Sequence, residues 1–216
     1  AGTGERWLKN GTNSPETLLA YGDFDDTTAK HAYAPHAGDY EPASADCTWR
    51  GGRGRNLLGG VSYLASRGVN AMYFLTLTVG GDGKDVWPWT NAYPWGSYSN
   101  DVLTGGQPYR YDCSKLDQWG RVFTHMNRKG VVIHMVLTET ENESVFERMD
   151  GLAWGGTSFA PSRKLYYREM VARFAHHPGL IWNLGEENGW DDWSENLPKK
   201  MPNSDAQRRL FAARLK

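Results

Sequence analysis

The sequence predicts an α/β fold of the (β/α)8 TIM-barrel type, with only about four βα units carried by this chain. Three observations predict it. Short apolar runs alternate with amphipathic stretches, and alternating strand and helix implies parallel strands joined by right-handed crossovers. The runs at residues 70–78, 131–137 and 180–184 are too continuously apolar to be half exposed, as expected of parallel strands buried on both faces. No GxGxxG or GxxxxGKS sequence opens a helix, which removes the commonest nucleotide-binding reading of an open doubly wound sheet and puts the barrel ahead. A complete barrel takes about 250 residues and eight units. These 216 residues therefore read as one domain, 1–216, forming the N-terminal half of a barrel with long βα loops.

The elements follow in order. A first strand is expected around residues 6–9, and a glycine-rich stretch at 51–54 leads into a helix over 56–67. Leu57, Val61 and Leu64 give that helix its apolar stripe, and Gly68 sits where a C-terminal cap belongs. The strand at 70–78 follows at once. Residues 79–112 then form a loop carrying GGDGKD and three tryptophans; loops of such length are uncommon unless functional or disordered, and aromatic content argues against disorder. Ser114-Lys115-Leu116-Asp117 resembles a capping-box start for a helix to about Lys129, with Gly130 as its stop. The next strand, 131–137, leads into Thr138-Glu139-Thr140-Glu141-Asn142-Glu143. Ser162 is the expected cap of a helix running to about His176, with Tyr166, Met170 and Phe174 on one face and His177-Pro178-Gly179 ending it. The fourth strand, 180–184, precedes a last helix capped by Ser204 or Asp205 and carrying Leu210, Phe211 and Leu215.

Composition narrows the partner. With 24 basic and 25 acidic side chains spread throughout and a net charge of -1, no basic face is implied and nucleic acid is a poor partner. No apolar run approaches the roughly 20 residues that span a bilayer, and the N-terminus lacks a basic segment followed by an apolar one. The expectation is a soluble chain, its signal peptide, if any, already removed, and no membrane partner. Ten Trp, eleven Tyr and 25 Gly favour carbohydrate, because amphipathic rings suit clefts that bind hydroxylated ligands. Trp7, Trp49, Trp119 and Trp182 are expected in the core or an interface, whereas Trp87, Trp89, Trp95, Trp190 and Trp193 fall in loops. Cys47 and Cys113 are compatible with one disulfide and equally with two free buried thiols.

The chemistry concentrates after the fourth strand, where Ile181-Trp182-Asn183-Leu184-Gly185 runs into Glu186-Glu187-Asn188-Gly189-Trp190. In parallel barrels the carboxyl ends of strands carry the chemistry, so two carboxylates flanked by Trp190 and Trp193 point to acid/base work on a sugar; an ordinary polar loop is the plain alternative. Glycoside hydrolysis needs two carboxyl groups, about 5 Å apart for retention and roughly 6.5–9.5 Å apart for inversion. Adjacent residues on an extended strand face opposite ways, so Glu186 and Glu187 are not that pair: one faces substrate and the other supports it. Glu139, Glu141 and Glu143 alternate and share a face, fitting either substrate hydrogen bonding or a solvated acidic loop. Asp23, Asp25 and Asp26, with Asp82 and Asp85 of GGDGKD, are candidates for sugar hydroxyls or calcium, but their spacing fits no EF-hand loop. No metal and no cofactor is expected. His176-His177 reads as a helix end, and His134 as a core residue or, if its strand ends early, a rim residue.

The segments RWLKNGTNSPETLLAYGDFD, GGDGKDVWPW, YDCSKLDQW, LTETENE and SRKLYYREMVARFAHHPGLIWNLGEEN resemble a family of secreted bacterial proteins. That family combines a domain of unknown function with a glycoside-hydrolase-like TIM barrel and a putative collagen-binding domain, and is related to apiosidase-like barrels. The resemblance implies a secreted or periplasmic glycoside hydrolase acting on a poly- or oligosaccharide with retention, its acid/base at the end of strand four and its nucleophile at the end of strand seven, outside this chain. Apiosidase-like relatives end strand four in Leu-Gly-Gly-Asp; setting Leu184-Gly185 on that pattern puts the acid on Glu187, while Glu186 departs from it. The implied site is Glu187 with Glu186 in support, and Glu139, Glu141, Asn188, Trp190, Trp87, Trp89, Asp82 and Asp85 around the sugar. The alternative is a non-catalytic carbohydrate- or matrix-binding module that kept the barrel and lost the chemistry. Half a barrel exposes two strand edges and a sheet face. The candidate covers are the missing half as a separate piece, a second copy of this chain, or rearranged loops.

Overall fold

The computed structural model describes residues 6–12, 16–27, 31–42, 45–78, 86–90, 109–139, 145–152, 159–186 and 204–215. Its centre is a four-stranded parallel sheet in sequential order, β1 (Gly11–Thr12), β2 (Ala71–Leu75), β3 (Val132–Val136) and β4 (Leu180–Asn183). Between the strands run α1 (Arg55–Ser66), α2 (Cys113–Arg128), α3 (Val145–Met149) and α4 (Pro161–Phe174), and α5 (Asp205–Arg214) follows the last strand. A 3-10 helix at Ala34–Asp39 and the short α3 are additions to the sequence reading.

The first strand is displaced from residues 6–9 to Gly11–Thr12. Pairing begins where a glycine permits it: a Cβ on Gly11 would lie 2.0 Å from the carbonyl oxygen of Ala71, its ladder partner on β2. Gly68, at φ +87°, closes α1 as expected; its N–H donates to Ala65 O at 3.0 Å and that of Val69 to Leu64 O at 3.1 Å. Two caps differ from expectation. The α2 cap is Asp112, which accepts from Lys115 N at 2.9 Å, while Ser114 Oγ turns to Asp25 at 2.6 Å. On α4, Pro161 occupies the first turn behind Ala160, and Ser162 Oγ donates instead to Phe146 O at 3.1 Å and Asp150 Oδ2 at 2.8 Å. Ser204 caps α5 in a reciprocal box with Gln207.

Register places Tyr73 beside His134 and Ile181, and Phe74 beside Met135 and Trp182. The two sets lie on opposite faces of the sheet. Met72, Phe74, Ile133 and Met135 join Leu57, Val61, Val122, Phe123, Tyr166, Met170 and Phe174 of the helices in one core. The other face carries Tyr73 and His134, both half-buried, and exposed Ile181, together with Ala71, Leu75 and Val136, which are fully buried. Trp49 and Trp119 are buried and Trp182 packs against the core, as expected, but Trp7 is 54 % exposed and belongs to no core. Cys47 and Cys113 are both free thiols, but only Cys47 is buried as expected; Cys113, in the exposed first turn of α2, is not.

Candidate active site

Four parallel strands bring their carboxyl ends to one side. There the ladder between β3 and β4 continues past both strands: Leu137 N donates to Asn183 O at 3.0 Å, Thr138 Oγ1 to Leu184 O at 2.9 Å, and Glu186 N to Thr138 O at 2.9 Å. These bonds carry Glu139 and Glu186 to the rim side by side. Glu16, after β1, is fixed at the end of β2 because its carbonyl accepts from Leu75 N at 2.9 Å. Glu139 is 5 % exposed and Glu186 half-buried.

Tyr73 joins these three carboxylates. From the middle of β2 its phenol lies in the field of Glu186, Glu16 and Glu139. Burial, then the nearby Glu186 carboxylate, then the charges of Glu16 and Glu139 push the phenol well above its usual range, so it remains an O–H donor at any working pH. Its ring meets His134 edge to face, centroids 5.0 Å apart at 86°. His134 Nδ1 lies 2.6 Å from Lys9 Nζ; an ammonium only donates, so this nitrogen accepts and the ring is neutral. Burial, then the Lys9 charge, lowers the pKa of His134 in keeping with that bond. Asn183 completes the group, its Oδ1 accepting from Gly185 N at 3.1 Å at the base of the rim turn.

Of the residues singled out from sequence, Glu186 and Glu139 thus come together at one rim. Glu187, Glu141, Asn188, Trp190, Asp82 and Asp85 lie outside the described residues, as do Glu143, Trp95 and Trp193. Trp87 and Trp89 correct the expectation of open sugar-stacking rings: they are 2 % and 0 % exposed. The strap that bears them is tied back by Thr90 N to Arg110 O at 2.8 Å and Asp112 N to Pro88 O at 3.0 Å. That lays Trp87 against Lys115, with Nζ 4.9 Å from the ring centre, and packs Trp89 edgewise on Tyr111 and Phe146. Burial drops Lys115 to a pKa of about 8, and its ammonium donates to Asp26 O at 2.6 Å.

The aspartates of YGDFDD likewise serve the fold. Asp23 accepts from Tyr21 Oη at 2.7 Å and from Gly54 N at 2.8 Å, while Asp25 takes both Arg50 nitrogens at 2.7 Å. Burial opposes the Asp25 charge, but bonds from Ser114 and Gln118 and the charges of Arg50 and Arg53 outweigh it and hold the carboxyl below its usual range. Among the described residues no group of three or more His, Cys, Asp or Glu is placed to hold a metal ion, and no helix is long and apolar enough to cross a membrane.

Tyr73 and Glu16 are additions to the site. The signal for Tyr73 was present: Tyr73 and His134 are polar side chains at alternate positions of otherwise apolar strands, and parallel register brings them together. Glu16 follows a two-residue strand and left no comparable mark. No family model, curated protein or solved structure matches the chain.

Proposed function

We propose that the chain is the N-terminal half of a (β/α)8 glycosidase barrel and that it hydrolyses a poly- or oligosaccharide with retention. The observation that carries the reading is the gathering of carboxylates at one rim, where the Glu186 N–H bond to Thr138 O at 2.9 Å sets Glu186 beside buried Glu139 and the Leu75 N–H bond to Glu16 O at 2.9 Å holds Glu16 at the neighbouring strand end. Acid-catalysed glycoside cleavage needs a carboxyl group that keeps its proton near neutral pH beside others that stay charged. Half-buried carboxylates crowded at one rim supply the like-charge proximity and desolvation that raise proton affinity. In this reading Glu187 donates the proton to the leaving oxygen, Glu186 and Glu139 support it, and the nucleophile stands about 5 Å away on a strand outside this chain. The sheet face that carries Tyr73, His134 and Ile181 then becomes the inner wall of the closed barrel, in a secreted or periplasmic protein.

The test is turnover of neutral oligosaccharides by the whole protein, with the first-formed anomer followed by NMR. Glu187→Gln is expected to abolish turnover and leave binding in place, and the first product is expected to keep its anomeric configuration. Turnover unchanged by Glu187→Gln and by Glu186→Gln would remove the catalytic reading and leave a carbohydrate- or matrix-binding module.

A further inference from the structure

We propose that the arginine-lined cleft between α2, the end of α4 and the segment 45–48 is a second saccharide site, built for a sugar that carries a carboxylate. It shares no residue with the strand-end rim and does not rest on the hydrolase reading. The cleft measures about 380 Å³, within the roughly 300–1,000 Å³ of small-molecule sites. On α2, Asp117, Arg121, Thr124 and Arg128 recur at spacings of four, three and four, so they form one stripe along its outer face. Leu116 and Phe174, both members of the core, close the floor. Three guanidinium groups are fixed at the seams. Arg121 Nη1 donates to Thr48 O at 3.1 Å, Arg128 Nη1 to Ala45 O at 3.4 Å, and Arg173 Nη2 to Cys113 Sγ at 3.3 Å. Each keeps further N–H groups of its five for a ligand. Arg121 is paired with Asp117 at 2.9 Å and Arg173 with Glu169 at 3.2 Å, but Arg128 has no acid partner among the described residues. That unpaired, exposed guanidinium is suited to hold a carboxylate through two parallel bonds. The walls also carry acids, which a site for a bare anion would not. Asp46 is spent on Tyr40 Oη at 2.8 Å, Thr48 N at 2.9 Å and Thr48 Oγ1 at 2.8 Å. Asp117 gives Oδ2 to Arg121 and leaves Oδ1 open. A sugar acid uses both signs: its carboxylate takes the arginines, and its hydroxyls donate to Asp117 and exchange hydrogen bonds with Thr124.

The experiment titrates the whole protein with methyl β-D-glucuronide, methyl β-D-glucoside and inorganic phosphate, followed by calorimetry and by the arginine Nε–Hε signals in 15N NMR. The glucuronide should bind at least about tenfold more tightly than the glucoside, the scale of a hydrogen bond to a charged group, and should shift the signals of Arg121, Arg128 and Arg173. Arg128→Gln and Arg173→Gln should each weaken it about 10- to 100-fold; Arg128 is exposed and Arg173 partly so, and neither substitution opens the core. Raised salt should weaken binding as well, and Glu186→Gln at the rim should leave it unchanged. Glucuronide bound no more tightly than glucoside overturns the assignment, as does phosphate bound as tightly as glucuronide. So does glucuronide binding that is lost with Glu186→Gln, or that leaves the three arginine signals in place and is indifferent to Arg128→Gln. Glycoside turnover is not among these readouts, so the hydrolase reading and this site fail separately.

Discussion

The two faces of the sheet share the same strands and follow opposite rules. On the face toward the helices, Met72, Phe74, Ile133 and Met135 are essentially inaccessible and merge with the apolar stripes of α1, α2 and α4. On the other face, one residue along each strand, stand Tyr73, His134 and Ile181, and the last is 37 % exposed. The first face stabilises the fold by removing apolar area from water. The second also buries Ala71, Leu75 and Val136, but between them it holds the polar pair Tyr73 and His134 in register and leads to a rim of carboxylates. A strand that alternates Phe with Tyr, or Met with His, divides stability from chemistry at a spacing of one residue.

The largest expected effect falls on the rim. Glu187→Gln should reduce glycoside turnover by about 10²- to 10⁴-fold, the range of a general acid, with the melting temperature unchanged by calorimetry. Next comes the covered face, where Phe74→Ala should cost about 3–5 kcal/mol in urea unfolding; its ring stacks on Phe123 with centroids 5.5 Å apart. A loss below about 1 kcal/mol would break the division between the faces.

The helical layer also sets the acid limit of stability. His125, within 3.0 Å of Ser62 Oγ, and His177 are each lowered to a pKa of about 4, by burial first and then by neighbouring positive charge. An unfolded histidine takes up its proton near 6.5, so between about pH 6.5 and 4 the unfolded chain binds more protons than the folded one. Stability should therefore fall as pH drops through that window, by at most about 1.4 kcal/mol per pH unit for each histidine. Urea midpoints across the window, for the wild type and for His125→Phe, measure the slope; an equal slope in both would exclude His125 as a source.

The smallest effect sharpens the comparison most. In this chain alone Ile181→Thr should change stability by no more than about 0.5 kcal/mol, as at an ordinary surface position. In a protein whose barrel is closed by further strands the same change should cost about 1 kcal/mol or more, because Ile181 is then interior.

The helix-covered half of the fold was legible from sequence because periodicity reports burial against helices directly: the stripes Leu57-Val61 and Tyr166-Met170-Phe174 are buried as read. Cap chemistry was less legible. Ser114 and Ser162 have the residue type of a cap, but Asp112 and Pro161 act first at each helix start, releasing both hydroxyls to bond Asp25 and Asp150. At the site, the end of β4 was readable because an apolar run stops at paired glutamates. Trp87 and Trp89 misled, since loop position says nothing of whether a strap folds back on the core. Tyr73 escaped notice because the carboxylates whose field it feels lie far from it in the chain, Glu186 more than a hundred residues away, and only the register of three strands brings them near.

The central claim, that the face bearing Tyr73, His134 and Ile181 is the inner wall of a closed barrel, is tested most directly by weighing the purified protein denatured and native side by side. It predicts either a denatured mass above the 24.3 kDa of this chain, a native mass about twice the denatured one, or a companion polypeptide that stays bound. A stable, cooperatively unfolding monomer of 24.3 kDa in both states would contradict it, because Tyr73, His134 and Ile181 would then face water with nothing to complete the barrel.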